Sequence, residues 1–312
     1  MKSVIKKSDK QAAFTIVELL TVMSIIVILI GLLVPALSKV RIFSREVKQR
    51  AQFHSMDSAI ELYNTEFDGY PPSGDIDPAG VAYCGAMKLC EAMMGQDLMG
   101  FHPDSIFRAD GTDGAGTPFD FYTQETESAR VGTYLPLESA NAFKVSQIFG
   151  ESIAPFNVND NYVLCDIYSR TTRSGIKTGM PILYYKANIS KNSHSLATLN
   201  NNIYDYRDND ELVKLGMSTE EKPPAGPSHP LASTGLTRYE VGGSPEPSDP
   251  RIFYEHTSSE KIKLSSGLSR PYRSDSYILL SAGNDGEYGT RDDIYNFDKS
   301  LIDFVDFEIK NP

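Results

Sequence analysis

The chain is poor in cysteine, lacks metal-binding spacing and carries no surplus of positive charge. Three Cys in 312 residues exclude a disulfide-dense scaffold. The five His are scattered, with no H-x-x-x-H pair, and no C-x-x-C occurs, so no zinc motif is present. No G-x-S-x-G nucleophile turn, P-loop or H-E-x-x-H is found. The reading is therefore not an enzyme. With 30 Lys and Arg against 41 Asp and Glu, the net charge is −11. That opposes a general nucleic-acid binder, which needs cations to neutralise phosphates. No internal repeat is visible. What remains is 40% hydrophobic and long enough for one or two folded units.

The charge is unevenly spread. Residues 1–50 hold nine basic and three acidic side chains, a net of +6, which leaves −17 for the rest. A basic, apolar beginning is joined to an acidic body. From Leu19 to Ser38 there is no charge at all. As a helix, Phe14 to Leu37 would rise about 36 Å, enough for a hydrocarbon core of about 30 Å. A plain anchor and a cleaved signal peptide ending near Val34-Pro35-Ala36 compete for this segment, but the apolar run exceeds a usual signal core. Glu18 fits none of these simple readings. A carboxylate inside such a run costs on the order of 2.5–3.5 kcal/mol at mid-membrane and needs a cationic partner. A new amino terminus at Phe14, four residues away, would supply one.

The string Ala13-Phe14-Thr15-Ile16-Val17-Glu18-Leu19-Leu20 resembles the signature of type IV pilins and type II secretion pseudopilins. The resemblance implies cleavage by a prepilin peptidase between Ala13 and Phe14, N-methylation of Phe14, and a role for Glu18 in assembly. The family usually has Gly where this chain has Ala13. Pro35 falls where pilins often carry a helix-kinking proline. The leader nets +3 and residues 39–50 net +4, so charge alone does not orient the span. The resemblance implies a cytoplasmic leader and a body outside the inner membrane.

Beyond the apolar run, Val40, Phe43, Val47 and Ala51 make one helical stripe, continued by Met56, Ala59, Ile60, Tyr63 and Phe67. Gly69-Tyr70-Pro71-Pro72 stops it. The reading is one helix from Phe14 to Phe67, about 80 Å long. The phrase Ser58-Ala59-Ile60-Glu61-Leu62-Tyr63 followed by Gly69-Tyr70-Pro71 is similar to the end of this helix in G-type major pseudopilins.

The middle is less readable. Val81–Met94 reads as a short helix ended by Gly95, and residues 110–118 as a turn-rich loop. Tyr162–Tyr168 and Ile182–Ala187 read as strands by their β-branched and aromatic content. The Pro-rich stretch 218–250 reads as a surface loop or linker. Against a G-type body, about 150–200 residues here are extra. Cys84 and Cys90 on one helix would stand about 9 Å apart along its axis, too far for a disulfide without bending. Cys165 is the third cysteine, and pairing with either of the others stays open.

Tyr277-Ile278-Leu279-Leu280 reads as a buried strand. Residues 283–294 then form a Gly-rich loop loaded with oxygen donors. Calcium takes 6–8 such oxygens, but an acidic solvated hairpin has the same inventory. The loop does not have EF-hand spacing. The order strand, S-x-G-x-D-G-x-x-G-x-x-D-D-I is similar to the C-terminal calcium loop of G-type pseudopilins. The resemblance implies Ca²⁺ held first by Asp285 and Asp292, with Asp293 as a fallback. Asn284, Glu287 and Thr290 are weaker candidates.

The expected fold is α+β, with a long N-terminal transmembrane and spine helix packed on a small antiparallel sheet elaborated by inserted loops and short helices. The expected organisation is leader 1–13, transmembrane helix 14–38, amphipathic helix 39–68, insertion-rich body 69–275 and C-terminal strand with acidic loop 276–312. The resemblance implies a structural subunit of a type II secretion pseudopilus, driving protein export. The alternative is a minor pilin of a type IV pilus, serving adhesion, motility or DNA uptake. Implied partners are copies of itself, other pseudopilins, prepilin peptidase, the inner-membrane assembly platform and membrane lipid. Nucleic acid is not expected.

Overall fold

The computed structural model of the chain describes residues 16–150, 153–156, 160–172, 175–191, 193–194, 202–215, 229, 231, 237–239, 245–247, 251–263 and 269–297. The architecture is α+β. Helix α1 (Ile16–Phe67) runs through 52 residues, and the chain divides into two units, Met1–Arg45 and Glu46–Pro312.

In the first unit α1 is apolar and exposed around its circumference. Its few hydroxyls are turned onto its own backbone. Thr21 donates to the Val17 carbonyl at 2.9 Å, Ser24 to Leu20 at 2.8 Å and Ser38 to Val34 at 3.2 Å. These bonds satisfy polar groups without water. Pro35 lies inside the helix and brings no N–H for the Gly31 carbonyl one turn earlier. Among the described residues this is the one helix long and apolar enough to cross a membrane.

In the second unit the same helix changes character. Gln49, Gln52, Phe53, Met56, Ala59, Ile60 and Tyr63 are buried, at the 3/4 spacing of one face. The stripe expected from Val40, Phe43, Val47 and Ala51 is exposed instead. The buried face starts at two glutamines because each answers a backbone group. The Ile167 N–H donates to Gln49 Oε1 at 3.0 Å, and Gln52 Nε2 donates to the Cys165 carbonyl at 2.9 Å.

Helix α2 (Gly85–Met94) is buried at every position and ends on Gly95, whose φ is +80°. It starts four residues later than the apolar pattern suggests. Gly85 is close against the Ser73 and Tyr184 backbone carbonyls, which leaves no room for a side chain. Short helices α3 (Leu137–Ala140) and α4 (Val145–Phe149) flank strand β1 (Ala142–Lys144), which pairs antiparallel with β2 (Tyr162–Leu164). Strands β3 (Arg170–Thr171) and β4 (Lys177–Thr178) form a small hairpin.

The central sheet has three antiparallel strands in the order β11–β10–β5. Strand β5 is Leu183–Lys186, β10 is Tyr277–Ser281 and β11 is Ile294–Tyr295. Ile278 stands opposite Tyr185 and Leu279 opposite Tyr184. Successive side chains in a strand point to opposite faces. Tyr184, Tyr277 and Leu279 therefore join Phe53, Met56 and Ile60 of α1 in one core. Leu183, Tyr185, Ile278 and Leu280 join Tyr83, Phe253 and Tyr254 in a second. All five residues of β10 are buried, so the strand reads as a continuous apolar run rather than an alternation. Full burial of each Leu or Ile there contributes about 1.5–3 kcal/mol.

The remaining elements are α5 (Asp210–Val213), β6 (Thr237–Tyr239) paired with β7 (Pro245–Pro247), α6 (Arg251–Thr257), and β8 (Ser258–Lys263) paired with β9 (Ser269–Pro271). The β6–β7 pair corrects the loop expected over 218–250 at those six residues. Most of the rest of that stretch lies outside the described residues. The three cysteines are buried free thiols, and burial pushes Cys84 up to about 11.

Candidate functional site

Two regions were singled out by sequence. The first is the start of α1. Ala13 and Phe14, the expected cleavage and methylation sites, lie outside the described residues. Glu18 lies in the first turn of α1, among exposed apolar side chains. A carboxylate there also complements the positive end of the helix dipole. The Thr21 hydroxyl bonds the Glu18 carbonyl at 2.9 Å, which closes that turn.

The second region is the loop between β10 and β11. It leaves the sheet at Ala282 and returns at Ile294. Gly283 takes φ +62° and has Asp292 backbone and side-chain oxygens where a Cβ would stand. Only glycine permits that approach without strain. Asp292 is thereby drawn over the start of the loop. Its Oδ2 accepts the Asp285 N–H at 2.8 Å and its Oδ1 accepts the Thr290 hydroxyl at 2.6 Å. Asp285 Oδ1 accepts the Glu287 N–H at 2.8 Å. Loss of hydration and the neighbouring Asp292 carboxylate raise Asp285 from the ordinary range to about 7.

The third carboxylate does something else. Asp293 Oδ2 accepts the Gly289 N–H at 2.8 Å and lies 3.9 Å from His256 Nδ1. The Tyr295 hydroxyl lies 3.5 Å from the same oxygen. Asp293 is thus a buried partner of α6 and β11, while Asp285 and Asp292 face each other. Asn284 is exposed, and its carbonyl accepts from the Arg170 guanidinium of the β3 hairpin. Gly286 also lies against that guanidinium. Arg170 gives no sign of this role in the sequence, because 114 residues separate it from Asn284.

The Asp285–Asp292 pair fits a hard cation chemically. Two carboxylates held together favour either a shared proton or a positive ion. The fit is partial. Among the described residues no group of three His, Cys, Asp or Glu side chains gathers at metal distance. Further oxygens would have to come from Thr290, loop carbonyls or water.

Other buried carboxylates belong to the core. Glu91 accepts from Tyr83 at 2.5 Å, Ser105 at 2.5 Å, Tyr122 at 2.7 Å and Gln96 at 3.2 Å. Asp166 accepts from Ser281 at 2.8 Å and from the Tyr168 and Met180 N–H groups. Desolvation raises Asp166 and Asp208 to about 7 each. Their donors tie separate segments together: Ser281 ends β10, while the Ser73 hydroxyl donates to Asp208.

A long apolar N-terminal helix followed by small antiparallel sheets is consistent with a pilin-like architecture. In comparisons with known proteins, the chain matches no family model, no curated protein and no solved structure.

Proposed function

We propose that the chain is a membrane-anchored, pilin-like structural subunit, and specifically a pseudopilin of a type II secretion system. The observation that carries this reading is helix α1. One helix combines an exposed apolar half, which begins beside F-T-I-V-E-L, with a half buried against an antiparallel sheet. An exposed apolar helix needs lipid or its own copies to cover it. The subunit is inserted by its apolar half, cut before Phe14, and polymerises through α1 into a filament that drives export. It catalyses nothing itself. Glu18 pairs with a Phe14 amine, its own or a neighbour's, as subunits join.

The C-terminal loop favours secretion over a type IV pilus, because its order of Gly and Asp resembles the G-type calcium loop. In this reading Asp285 and Asp292 hold Ca²⁺, which pins the loop to the end of β10. Asp293 serves as a buried anchor rather than a ligand.

The N-terminal mass of protein recovered from membranes tests the reading first. The expected start is N-methyl-Phe14; an intact Met1 reduces α1 to a plain anchor. Glu18→Ala is then expected to leave cleavage and insertion intact while abolishing filaments. Normal filaments from that variant would remove its assembly role.

A further inference from the structure

We infer that residues 39–43 of α1 form a lipid-facing collar that reads anionic headgroups where the helix leaves the bilayer. Ile16 to Leu37 gives 22 helical residues, about 33 Å of rise. This covers the hydrocarbon core of about 30 Å, beyond which each headgroup layer adds about 5–8 Å. Lys39 to Phe43 lie about 3 to 9 Å farther along the axis, which places them in that layer.

The side chains there are mixed. Val40, Ile42 and Phe43 are 62%, 54% and 66% exposed, and Lys39 and Arg41 are exposed between them. Arg50 is paired with Glu46 at 3.1 Å, whereas among the described residues no such pair takes Lys39 or Arg41. At about 100° per residue, Lys39, Phe43, Val40, Arg41 and Ile42 fall in that order around the helix. Basic and apolar groups are thus interspersed around the whole circumference. A flat protein partner would cover one side of such a ring. A bilayer surrounds it, taking the apolar groups into the acyl boundary while the long cations reach phosphate. A merely solvated helix face would not interleave three exposed apolar side chains with its charges. The segment from Leu19 to Arg45 contains no acidic residue, which suits an anionic surface.

The inference rests on the membrane-spanning part of the proposed function and not on assembly. The chain has no tryptophan, so Phe43→Trp creates a sole tryptophan reporter, excited selectively beyond the tyrosine absorption. The full chain carrying it is reconstituted at low protein density in mixed vesicles of phosphatidylglycerol and phosphatidylcholine, with one lipid or the other brominated. Phosphatidylglycerol is expected to be preferred around the reporter by at least about fivefold, the worth of one basic residue at an anionic surface. Lys39→Gln with Arg41→Gln is expected to bring the preference to parity. Equal quenching by both lipids, unchanged in the double variant, overturns headgroup recognition. A reporter in water at every protein density overturns the collar altogether. Shielding that appears only as protein density rises assigns the ring to a second copy and also overturns it. Ile26→Trp separates the two levels. If it too escapes quenching, the membrane-spanning reading has failed. If it is quenched while Phe43→Trp is not, the collar alone has failed. Val40→Trp repeats the measurement at a second exposed position, in case Phe43→Trp disturbs the helix.

Discussion

The two halves of α1 share one secondary structure and oppose each other in everything else. Up to Arg45 the helix exposes Leu, Ile and Val on all sides. From Glu46 onward it exposes charge and buries one narrow face. Among the described residues the first half joins no buried core, and the second closes one. A helix that is apolar all round is built for a solvent of lipid or of its own copies; an amphipathic one is built for water on one side. The chain therefore carries two stability problems, and a mutation should act on one of them at a time.

The largest test of that separation uses alanine in each half. Ile60→Ala removes a fully buried side chain and is expected to cost the body about 2–5 kcal/mol, seen as a clear fall in Tm of the detergent-solubilised chain. Ile26→Ala, exposed in the first half, is expected to move the same Tm by less than about 0.5 kcal/mol equivalent. Equal effects would break the comparison.

A second test uses pH. Asp166 and Asp208 are held near 7 by burial, so the native body keeps protons that the unfolded chain releases near pH 4. A state that binds more protons is favoured at low pH. Body stability is therefore expected to be greatest near pH 4–5 and to decline as pH rises towards 7–8, with a Tm several degrees higher at pH 5 than at pH 8. Asp166→Asn is expected to flatten the profile.

The smallest expected effect concerns the loop. Calcium is expected to raise the body Tm, by about 2.7 kcal/mol equivalent at a hundredfold excess over its Kd, more at pH 8 than at pH 6 because protons compete for Asp285. Asp285→Ala is expected to abolish the rise. An unchanged wild-type Tm between saturating Ca²⁺ and chelator would remove the ion from the proposal.

These contrasts mirror what could be read from residues alone. The apolar half of α1 was plain, because an uncharged run of that length has few other uses. Strand β10 was plain for a similar reason, since burial on both faces leaves no alternation to decode. The buried face of the second half was not. Gln49 and Gln52 look like solvent residues until Ile167 and Cys165 bring their backbone groups to them, more than a hundred positions away. Val40 and Phe43 look like core but stay exposed. In the loop, Asp285 and Asp292 were singled out by the resemblance to the G-type calcium loop, and the structure sets these two side by side. The diversion of Asp293 to His256, and the reach of Arg170 to Asn284, depend on distant elements that leave no local pattern.

The position of β10 also sets an order in time. It is the middle strand of its sheet, hydrogen-bonded on both edges, yet it is Tyr277–Ser281 of a 312-residue chain. A polypeptide delivered from its amino end makes α1 first, and Met56 and Ile60 then wait more than two hundred residues for Tyr277 and Leu279. Until those arrive the central sheet has no middle. The body thus reaches its finished core only after β10 has been released, which leaves its apolar faces open to aggregation until then.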